Sequence, residues 1–322
     1  MNNAYLRRGL GLFVFALCFA LFSLFPVYYE NLGSLKGEPL FPDLELSQIA
    51  EIRIHTPKEE ITLVKDENLW RVSEADMYFA NYQMVEKLLD FFRYSRIHRA
   101  VELTDAEFSD NFVNNAAEIV LADTGGKTLG SVIVGRRTYN NKFAYVRFPD
   151  NEKIYMVSNA ALLPEYVHAW LQQPLLTLNP AEVRDIIVKR SPKDLIIGRD
   201  VPGYPFWIMD GNRMLRRADP EDLLNQLQSV TFTDVRSAQN FDEQLFMQRR
   251  ELRVVTFDGL IVDLILFKKD NEYWLKQKLS ATSLPTSVVN AYIKNNEALS
   301  NYWYFRLSSY AGSRLWNAEI SG

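Results

Sequence analysis

The sequence predicts an α+β fold: an N-terminal transmembrane helix followed by two tandem, similar lobes, each an antiparallel sheet with packed helices. Three observations support this prediction. An apolar run of about 20 residues, the length that spans a bilayer, lies near the start of the chain. Beyond it, short segments alternate apolar and polar residues with the period of two that half-buried strands show. The same succession of segments occurs twice, so we expect residues 47–178 and 179–305 to form equivalent lobes.

The predicted transmembrane segment covers residues 9–29. A helix of that length matches the hydrocarbon core of a bilayer, about 30 Å thick. Arg7 and Arg8 precede the segment, and cations in this position stay on the cytoplasmic side. Residues 1–8 are therefore predicted to be cytoplasmic and the remainder to lie across the membrane. The side chains expected to anchor the chain in lipid are large and apolar: Leu10, Phe13, Phe15, Leu17, Phe19, Leu21, Phe22, Leu24 and Phe25.

A cleaved signal peptide or a lipoprotein signal fits this segment less well. A cleaved signal peptide has a shorter apolar region that ends in a small-x-small site. Here Phe25 and Pro26 follow instead, and only a weak candidate site lies at residues 32–34. Cys18 suggests a lipoprotein, but Leu17 stands where that signal requires a small residue. We therefore favour an uncleaved signal anchor, and the single cysteine excludes an intramolecular disulfide.

Charge and composition narrow the class of protein. The net charge is −4 with both signs interspersed, so no basic footprint indicates nucleic-acid binding. Aromatic residues make up 13% of the chain, which favours a folded body. The chain has no Asn-x-Ser/Thr site for glycosylation, which favours a bacterial envelope. The predicted location is a bacterial inner membrane, with one membrane pass and most of the chain in the periplasm.

The first predicted lobe follows a Gly- and Pro-containing linker at residues 30–46. Three strands, at residues 49–54, 61–64 and 70–72, form a predicted meander. Asn81 is then a favourable N-cap for a helix. The apolar face of this helix has helical spacing: Val85, Leu88, Leu89 and Phe92.

The first lobe continues with a hairpin of strands 118–121 and 129–135 around a glycine turn. A strand at 144–147 and a helix that opens at residues 163–164 follow. Gly126-Lys127-Thr128 is similar to the end of a phosphate-binding loop. That loop needs a glycine where Leu121 stands and a helix where a strand is predicted, so no nucleotide binding is expected.

The second predicted lobe repeats this order after a connector at residues 174–180. Asp219 and Pro220 are expected at the N-cap and first position of its first helix. The neighbouring acids are interpreted as first-turn residues favoured by the helix dipole, not as a metal site. Residues 306–322 are a predicted tail. The repeated segments are 183–188, 195–197, 206–208, 251–255, 260–267, 273–276 and a helix that opens at 284–285.

No motif in the chain indicates catalysis, a cofactor or a metal. His55, His98 and His168 have no second ligand at the spacing that a zinc site usually shows. Three arginine doublets, at residues 136–137, 216–217 and 249–250, are interpreted as solvated loop charges rather than phosphate contacts.

One dense aromatic run has two interpretations. Tyr302, Trp303, Tyr304 and Phe305 either pack into the core of the second lobe or form an exposed surface for a partner or ligand. Trp207 is a further candidate for that surface, and Trp70 and Trp207 end equivalent predicted meanders.

The segments 49–54, 70–72, 80–81, 145–147 and 154–157, with the recurrence at 183–188, resemble the family called domain of unknown function 4340. The resemblance covers about residues 44–280 and rests on packing signatures. It implies a single-pass envelope protein of the kind often encoded beside ABC-type transport components, and hence an accessory role in transport.

Three functional hypotheses follow. The first is a non-enzymatic, membrane-anchored periplasmic interaction protein that acts as an accessory component of an ABC-type transport or envelope-assembly complex. The second is a module that binds an envelope lipid or glycan in an apolar pocket. The third and least supported is an envelope hydrolase with a site assembled from distant residues. The expected partners are the lipid bilayer and envelope or ABC transporter proteins, with no nucleic acid, nucleotide or cofactor.

Overall fold

The computed structural model describes residues 36–113, 116–159, 161–210, 213–218, 220–300 and 302–317. The predicted anchor, its two flanking arginines and Cys18 lie outside these ranges. Within them, no helix has the length and apolar character needed to cross a membrane. The described chain is mostly β with some helices, and its strands form two antiparallel sheets.

The strands of the first sheet are short and closely spaced along the chain. They are β1 (Glu51–His55), β2 (Glu60–Asp66), β3 (Leu69–Val72), β4 (Tyr78–Phe79), β5 (Ile97–Val101), β6 (Ala117–Ala122), β7 (Thr128–Arg137), β8 (Phe143–Arg147) and β9 (Ile154–Ser158).

The strands of the second sheet follow in the remainder of the chain. They are β10 (Val183–Lys189), β11 (Leu195–Gly198), β12 (Phe206–Asp210), β13 (Arg213–Ala218), β14 (Asp234–Ser237), β15 (Gln248–Thr256), β16 (Leu260–Lys269), β17 (Glu272–Ala281) and β18 (Trp303–Leu307).

The helices of the described chain are few. They are α1 (Tyr82–Tyr94), α2 (Asp105–Phe108), α3 (Glu221–Leu227), α4 (Ser287–Asn295) and α5 (Ser309–Asn317). A π-helical turn, Ser109–Val113, continues α2. Short 3₁₀ turns include Val167–Trp170 and Glu243–Leu245.

The strand order is the same in both sheets. The first runs β4-β3-β2-β1-β6-β7-β8-β9-β5, and the second runs β13-β12-β11-β10-β15-β16-β17-β18-β14. Each strand of the first sheet therefore has a counterpart nine strands later in the chain. The repeated succession of segments in the sequence corresponds to a repeated strand order.

The described residues divide into two compact units. The first contains the described residues up to Asn68 together with Tyr82–Tyr166, and the second contains Leu69–Asn81 and the described residues from Val167 onward. These limits differ from the predicted lobes 47–178 and 179–305. Hydrogen bonds explain one difference, because Asp76 of the β3–β4 turn accepts from the backbone N–H (2.8 Å) and the hydroxyl (3.1 Å) of Ser237.

The core of the first unit lies between its sheet and α1. Alternate side chains of β1, β2 and β6 are fully buried, as period-two packing requires: Ile52, Ile54, Ile61, Leu63, Ile119 and Leu121. Helix α1 buries Val85, Leu88, Phe91 and Phe92. Each such side chain stabilises the fold by about 1.5–3 kcal/mol relative to an exposed one. The helix predicted after Asn81 is confirmed.

The described part of the predicted linker is folded onto the first unit. The backbone of Gly37 donates to Ile97 O (2.8 Å), and Leu40 N donates to Ser95 O (3.1 Å). Leu40 is buried, and the ring of Phe41 lies 5.5 Å from that of Phe92. Residues 37–41 therefore pair with the start of β5, which corrects their prediction as part of a free spacer.

The second unit has its own core. Its sheet buries alternate apolar residues, among them Ile186, Ile197, Val254, Val262 and Leu264. Tyr78 lies edge-to-face on three rings, with centroid distances of 5.6, 5.1 and 5.7 Å: Phe232, Trp303 and Phe305. Edge-to-face packing stabilises aromatic pairs beyond the area they bury. The β3–β4 hairpin is thereby part of the core of this unit.

The predicted helix that opens at residues 163–164 is wrong. Only the 3₁₀ turn Val167–Trp170 forms there. The backbone beyond it pairs with β4 instead, because Gln172 N donates to Phe79 O (2.9 Å) and Asn81 N donates to Trp170 O (2.7 Å). These bonds use the groups that a further helical turn would need.

Two other local predictions need correction. Strand β4 follows Trp70 and strand β13 follows Trp207, so each meander has four strands, not three. Pro220 is the N-cap of α3, not its first helical residue. The glycine hairpin, in contrast, is confirmed: Asp123 accepts from the backbone of Gly125 and Lys127, and Gly126 has φ +78°.

Candidate functional site

A row of four residues crosses the second sheet on one face. Lys189 lies opposite Glu251, Glu251 opposite Ile265, and Ile265 opposite Lys276. Directly opposed residues on adjacent strands project to the same face and are close enough to interact. The row therefore brings two cations, one acid and one apolar side chain together on a partly exposed surface.

A depression of about 200 Å³ lies along this row. Its lining includes Arg253, Asp263 and Lys278 in addition to the row itself. The guanidinium of Arg253 donates to both carboxylate oxygens of Asp263, at 2.6 and 3.1 Å, and this contact raises the pKa of Arg253. Lys189 pairs with Asp194 at 2.6 Å and Lys276 with Glu243 at 3.5 Å, so these charges of the depression are also partnered.

An aromatic cluster adjoins the depression through Ile265 and Lys276. Phe267, Trp274 and Tyr304 are buried, and Phe241 and Phe246 pack over them half-buried. Phe241 stacks on Tyr304, with centroids 4.0 Å apart and planes 13° apart, and also on Phe246 at 5.1 Å. These five rings, which we call the aromatic cluster, hold the connection between β14 and β15 against the sheet.

Three polar side chains form hydrogen bonds at one side of the aromatic cluster. The hydroxyl of Tyr304 donates to Glu243, and the ammonium of Lys276 donates to that hydroxyl at 2.7 Å. Burial and the hydrogen bond to Glu243 raise the pKa of Tyr304 far above its usual value. The phenol therefore keeps its proton, and its hydrogen bond to Glu243, to higher pH than a free tyrosine does. It fixes the 3₁₀ turn Glu243–Leu245 over the sheet.

Two exposed apolar side chains lie at the end of this turn and just after it. Leu245 is 56% exposed and Met247 is 95% exposed. Arg249 lies beside them, with its guanidinium 5.8 Å from the ring of Phe267 and 2.9 Å from Glu251. An exposed apolar patch with a charged rim is typical of a protein interaction site. We call Leu245, Met247 and the aromatic cluster beneath them the 245–247 surface.

The structure distinguishes between the two interpretations of the aromatic run. Trp303, Tyr304 and Phe305 lie in β18 between β14 and β17 and are 5%, 3% and 0% exposed, while Tyr302 is 44% exposed. Pairing on both sides and packing on both faces bury the run. The alternative interpretation, a strand in the core, is correct for these three residues.

Trp207 is half-buried and packs against a glycine. It pairs with Gly198 across β11 and β12. A Cβ atom on Gly198 would lie 2.5 Å from the indole ring. The absent side chain leaves the space that the indole occupies, so Trp207 has a packing role in the second sheet.

The titratable residues singled out in the sequence lie apart from this site. His55 is 3.6 Å from Glu60, and the ring of His98 is 4.8 Å from that of Phe143. In the described part of the chain, no group of three or more His, Cys, Asp or Glu side chains is placed to hold a metal ion. Arg250 donates to the carbonyl of Trp316, and burial lowers its pKa.

One of the first-turn acids of α3 makes an ion pair that the sequence did not predict. Asp222 pairs with Arg314 of α5 at 2.9 Å.

Sequence reasoning also missed the 245–247 surface. The available signal was a short connection between two strands with four large apolar residues, Phe241, Leu245, Phe246 and Met247, and few of the small residues typical of turns.

Comparison with known proteins adds one finding. No curated protein and no solved structure matches the chain. A family model described as "Domain of unknown function (DUF4340)" matches residues 70–245, which is more than half of the sequence. The match includes the β3–β4 hairpin, most of the first unit and the start of the second up to Leu245, and on this basis the chain belongs to the DUF4340 family.

Proposed function

We propose that the protein is a membrane-anchored, non-enzymatic interaction protein of the bacterial periplasm. It serves as an accessory component of an ABC-type transport or envelope-assembly complex. Residues 9–29 hold it in the inner membrane with residues 1–8 in the cytoplasm, and two tandem lobes of a duplicated α+β design form its periplasmic body. The 245–247 surface binds a partner protein of that complex.

The observation that carries this proposal is the exposure of Met247 and Leu245 on a rigid base. Because Tyr304 holds the backbone of the turn through Glu243, little backbone ordering is needed on binding, and the entropic cost is limited mainly to the two side chains. Half-buried aromatic residues and arginine, here Phe241, Phe246 and Arg249, are enriched where interfaces have their strongest contacts.

The polar side chains near this surface are held in hydrogen-bonded groups. Tyr304 is protonated and bonded to Glu243 and Lys276. Arg253 and Asp263 form a closed pair. These groups are hydrogen-bonded to one another, and such networks rigidify the surface that they support.

The proposal is tested by purification of the full chain, tagged after Gly322, in mild detergent with crosslinking and mass spectrometry. The double variant Leu245→Asp/Met247→Asp places charges in the surface without disturbing its buried base. Tyr139→Asp, at a fully exposed residue of the first unit, is the matched control.

We expect an ABC permease or ATPase to copurify with the natural protein and the control, and to be lost from the double variant. Recovery of the natural protein without any transport or envelope-assembly component would contradict the accessory role. Equal recovery of the same partner with the double variant would contradict the proposed surface.

A further inference from the structure

A second surface lies on the first unit, where the described chain begins. It is a groove of about 420 Å³. Its floor is apolar and comes from the segment 39–46 and from α1: Pro39, Phe41, Pro42, Leu44, Leu46 and Phe92. Arg93 and Arg96, at the end of α1, form its rim. Of the described residues that line the groove, none is acidic.

The groove is preformed by the packing of residues 37–41. Ile97 N donates to Glu38 O at 2.9 Å, and Gly37 N donates to Ile97 O at 2.8 Å. The ring of Phe41 lies 5.5 Å from Phe92 and 5.6 Å from Phe148. A groove held by backbone pairing and three rings needs little reorganisation to accept a ligand.

The two arginines present cations to anything that occupies the groove. Arg93 is about half exposed, its ion pair with Asp90 is long, at 3.9 Å, and its guanidinium also contacts Tyr94, 5.6 Å from the ring centroid. Arg96 donates through Nη1 to the carbonyls of Arg93 (3.2 Å) and Ser95 (3.1 Å), which holds its guanidinium at the end of α1. Guanidinium groups bind phosphate oxygens in a bidentate manner. The groove thus combines an apolar floor with a phosphate-binding rim.

The position of the groove along the chain indicates its occupant. Six residues separate Tyr29, the end of the predicted anchor, from Lys36. An extended chain of this length reaches no more than about 25 Å, so the groove lies close to the bilayer that holds the anchor. Tyr94, beside Arg93, is 54% exposed, and tyrosine is enriched at the level of lipid headgroups.

We propose that this groove binds an anionic phospholipid of the membrane leaflet from which the periplasmic body emerges. The phosphate group contacts Arg93 and Arg96, and the first part of an acyl chain covers the apolar floor. The inference rests on the membrane anchor of the proposed function. It adds a lipid contact that fixes one face of the first unit against the bilayer.

The test uses the full chain in nanodiscs of phosphatidylcholine mixed with phosphatidylglycerol. Native mass spectrometry then measures which lipid stays bound after the disc is removed. The variants are Arg93→Gln and Arg93→Gln/Arg96→Gln, and the matched control is Arg99→Gln, an exposed arginine on β5. The single variant keeps the contact of Arg96 with α1, so it separates lipid binding from a change in the fold.

We expect the preference for phosphatidylglycerol to fall about fivefold for each arginine removed from the rim, and to stay unchanged in the control. An unchanged preference in both rim variants would overturn the proposal. Displacement of the lipid by inorganic phosphate would also overturn it, because the site would then be one for free phosphate.

Extraction of native membranes with alkaline carbonate separates this inference from the anchor. If the protein stays in the washed membrane and the rim variants lose their lipid preference, both the membrane anchor and the lipid-binding groove are supported. Retention without any lipid preference overturns the groove alone, whereas release into the wash overturns the anchor and with it this inference.

Discussion

Two equivalent connections, one in each unit, differ in what they expose. In the first unit, the connection between β5 and β6 contains Phe108 stacked on Phe112 at 5.5 Å. In the second, the connection between β14 and β15 contains Phe241 stacked on Phe246 at 5.1 Å. Each pair lies beside an equivalent row of residues that crosses its sheet. The row of the first sheet is His55, Glu118, Ile133 and Arg147, and that of the second is Lys189, Glu251, Ile265 and Lys276.

The difference lies in the side chains at the surface. Among the described residues of the first connection, the exposed ones are polar: Glu102, Thr104, Glu107 and Asp110. The second connection exposes Leu245 and Met247. Since the fold is the same at both places, packing alone does not require apolar residues at the surface. The two connections therefore differ in the apolar surface that their described residues expose, and the proposed binding role belongs to the second.

The largest expected loss of stability comes from replacing the stacked phenylalanines of the two connections. Phe112 is 7% exposed, so Phe112→Ala is expected to lower the free energy of unfolding by about 3–5 kcal/mol. Phe246 is half-buried, and Phe246→Ala is expected to cost less, about 1–2 kcal/mol, since part of the ring is already in water. Chemical denaturation measures both values. Equal losses would show that the two connections do not differ in burial.

A second change tests the placement of the β3–β4 hairpin in the second unit. Asp76→Ala removes the acceptor for the backbone N–H and hydroxyl of Ser237, a residue that is 6% exposed. We expect a loss of about 1–3 kcal/mol, the cost of unsatisfied buried donors. Hydrogen exchange is expected to rise first at β14 and β4. The control is Glu74→Ala in the same turn, which retains the Asp76 acceptor.

A third expectation concerns high pH. The folded pKa of Tyr304 is raised, so the phenol contributes stability that is complete below the unfolded pKa, near 10, and is lost as the pH rises above that value. In the first unit, the position equivalent to Tyr304 is Ile154, which lies opposite Arg147. An isoleucine side chain does not titrate, so this position of β9 contributes no pH dependence.

Alkaline unfolding followed by hydrogen exchange is therefore expected to open β18 before β9. Tyr304→Phe is expected to flatten the pH dependence of β18 above pH 10, and Tyr302→Phe, at an exposed tyrosine, is the control. A variant with the same alkaline slope as the natural protein would refute the role given to Tyr304.

The smallest effect on stability is expected at the 245–247 surface itself. Met247→Asp is at an exposed position, so its free energy of unfolding is expected to change by no more than about 0.5 kcal/mol. Thermal unfolding checks this value. A large loss of stability would mean that Met247 is needed for the fold, and the argument for a binding role at this residue would fail.

Much of the fold could be predicted from the sequence. Alternation located β1, β2, β3, β6, β7 and β8 and their counterparts in the second sheet, because a one-residue slip would turn each apolar set to solvent, as in Ile52 and Ile54. The edge strands of the two sheets, β4, β5, β13 and β14, were missed. Glycine and aspartate located the turn at residues 123–127. The helix expected near Trp170 was wrong because its apolar spacing reflects burial against Phe79 and Asn81, a contact between distant segments.

The candidate site was much less accessible to sequence reasoning. Burial of Trp303 and Phe305 depends on strand pairing on both sides of β18, which no local pattern encodes. The packing of this connection on the sheet includes the stacking of Phe241 on Tyr304, residues far apart in the chain. Apolar residues in a connection look alike in sequence whether they are buried or exposed.

The most direct test of the binding role is photo-crosslinking in intact cells from two equivalent positions. A photoreactive amino acid replaces Met247 in the second connection or Asp110 in the first, and crosslinked proteins are identified by mass spectrometry. We expect residue 247 to crosslink to one component of an envelope transport complex, and residue 110 to give no such product. The same product from both positions, or none from residue 247, would contradict the assignment of the partner surface to the second connection.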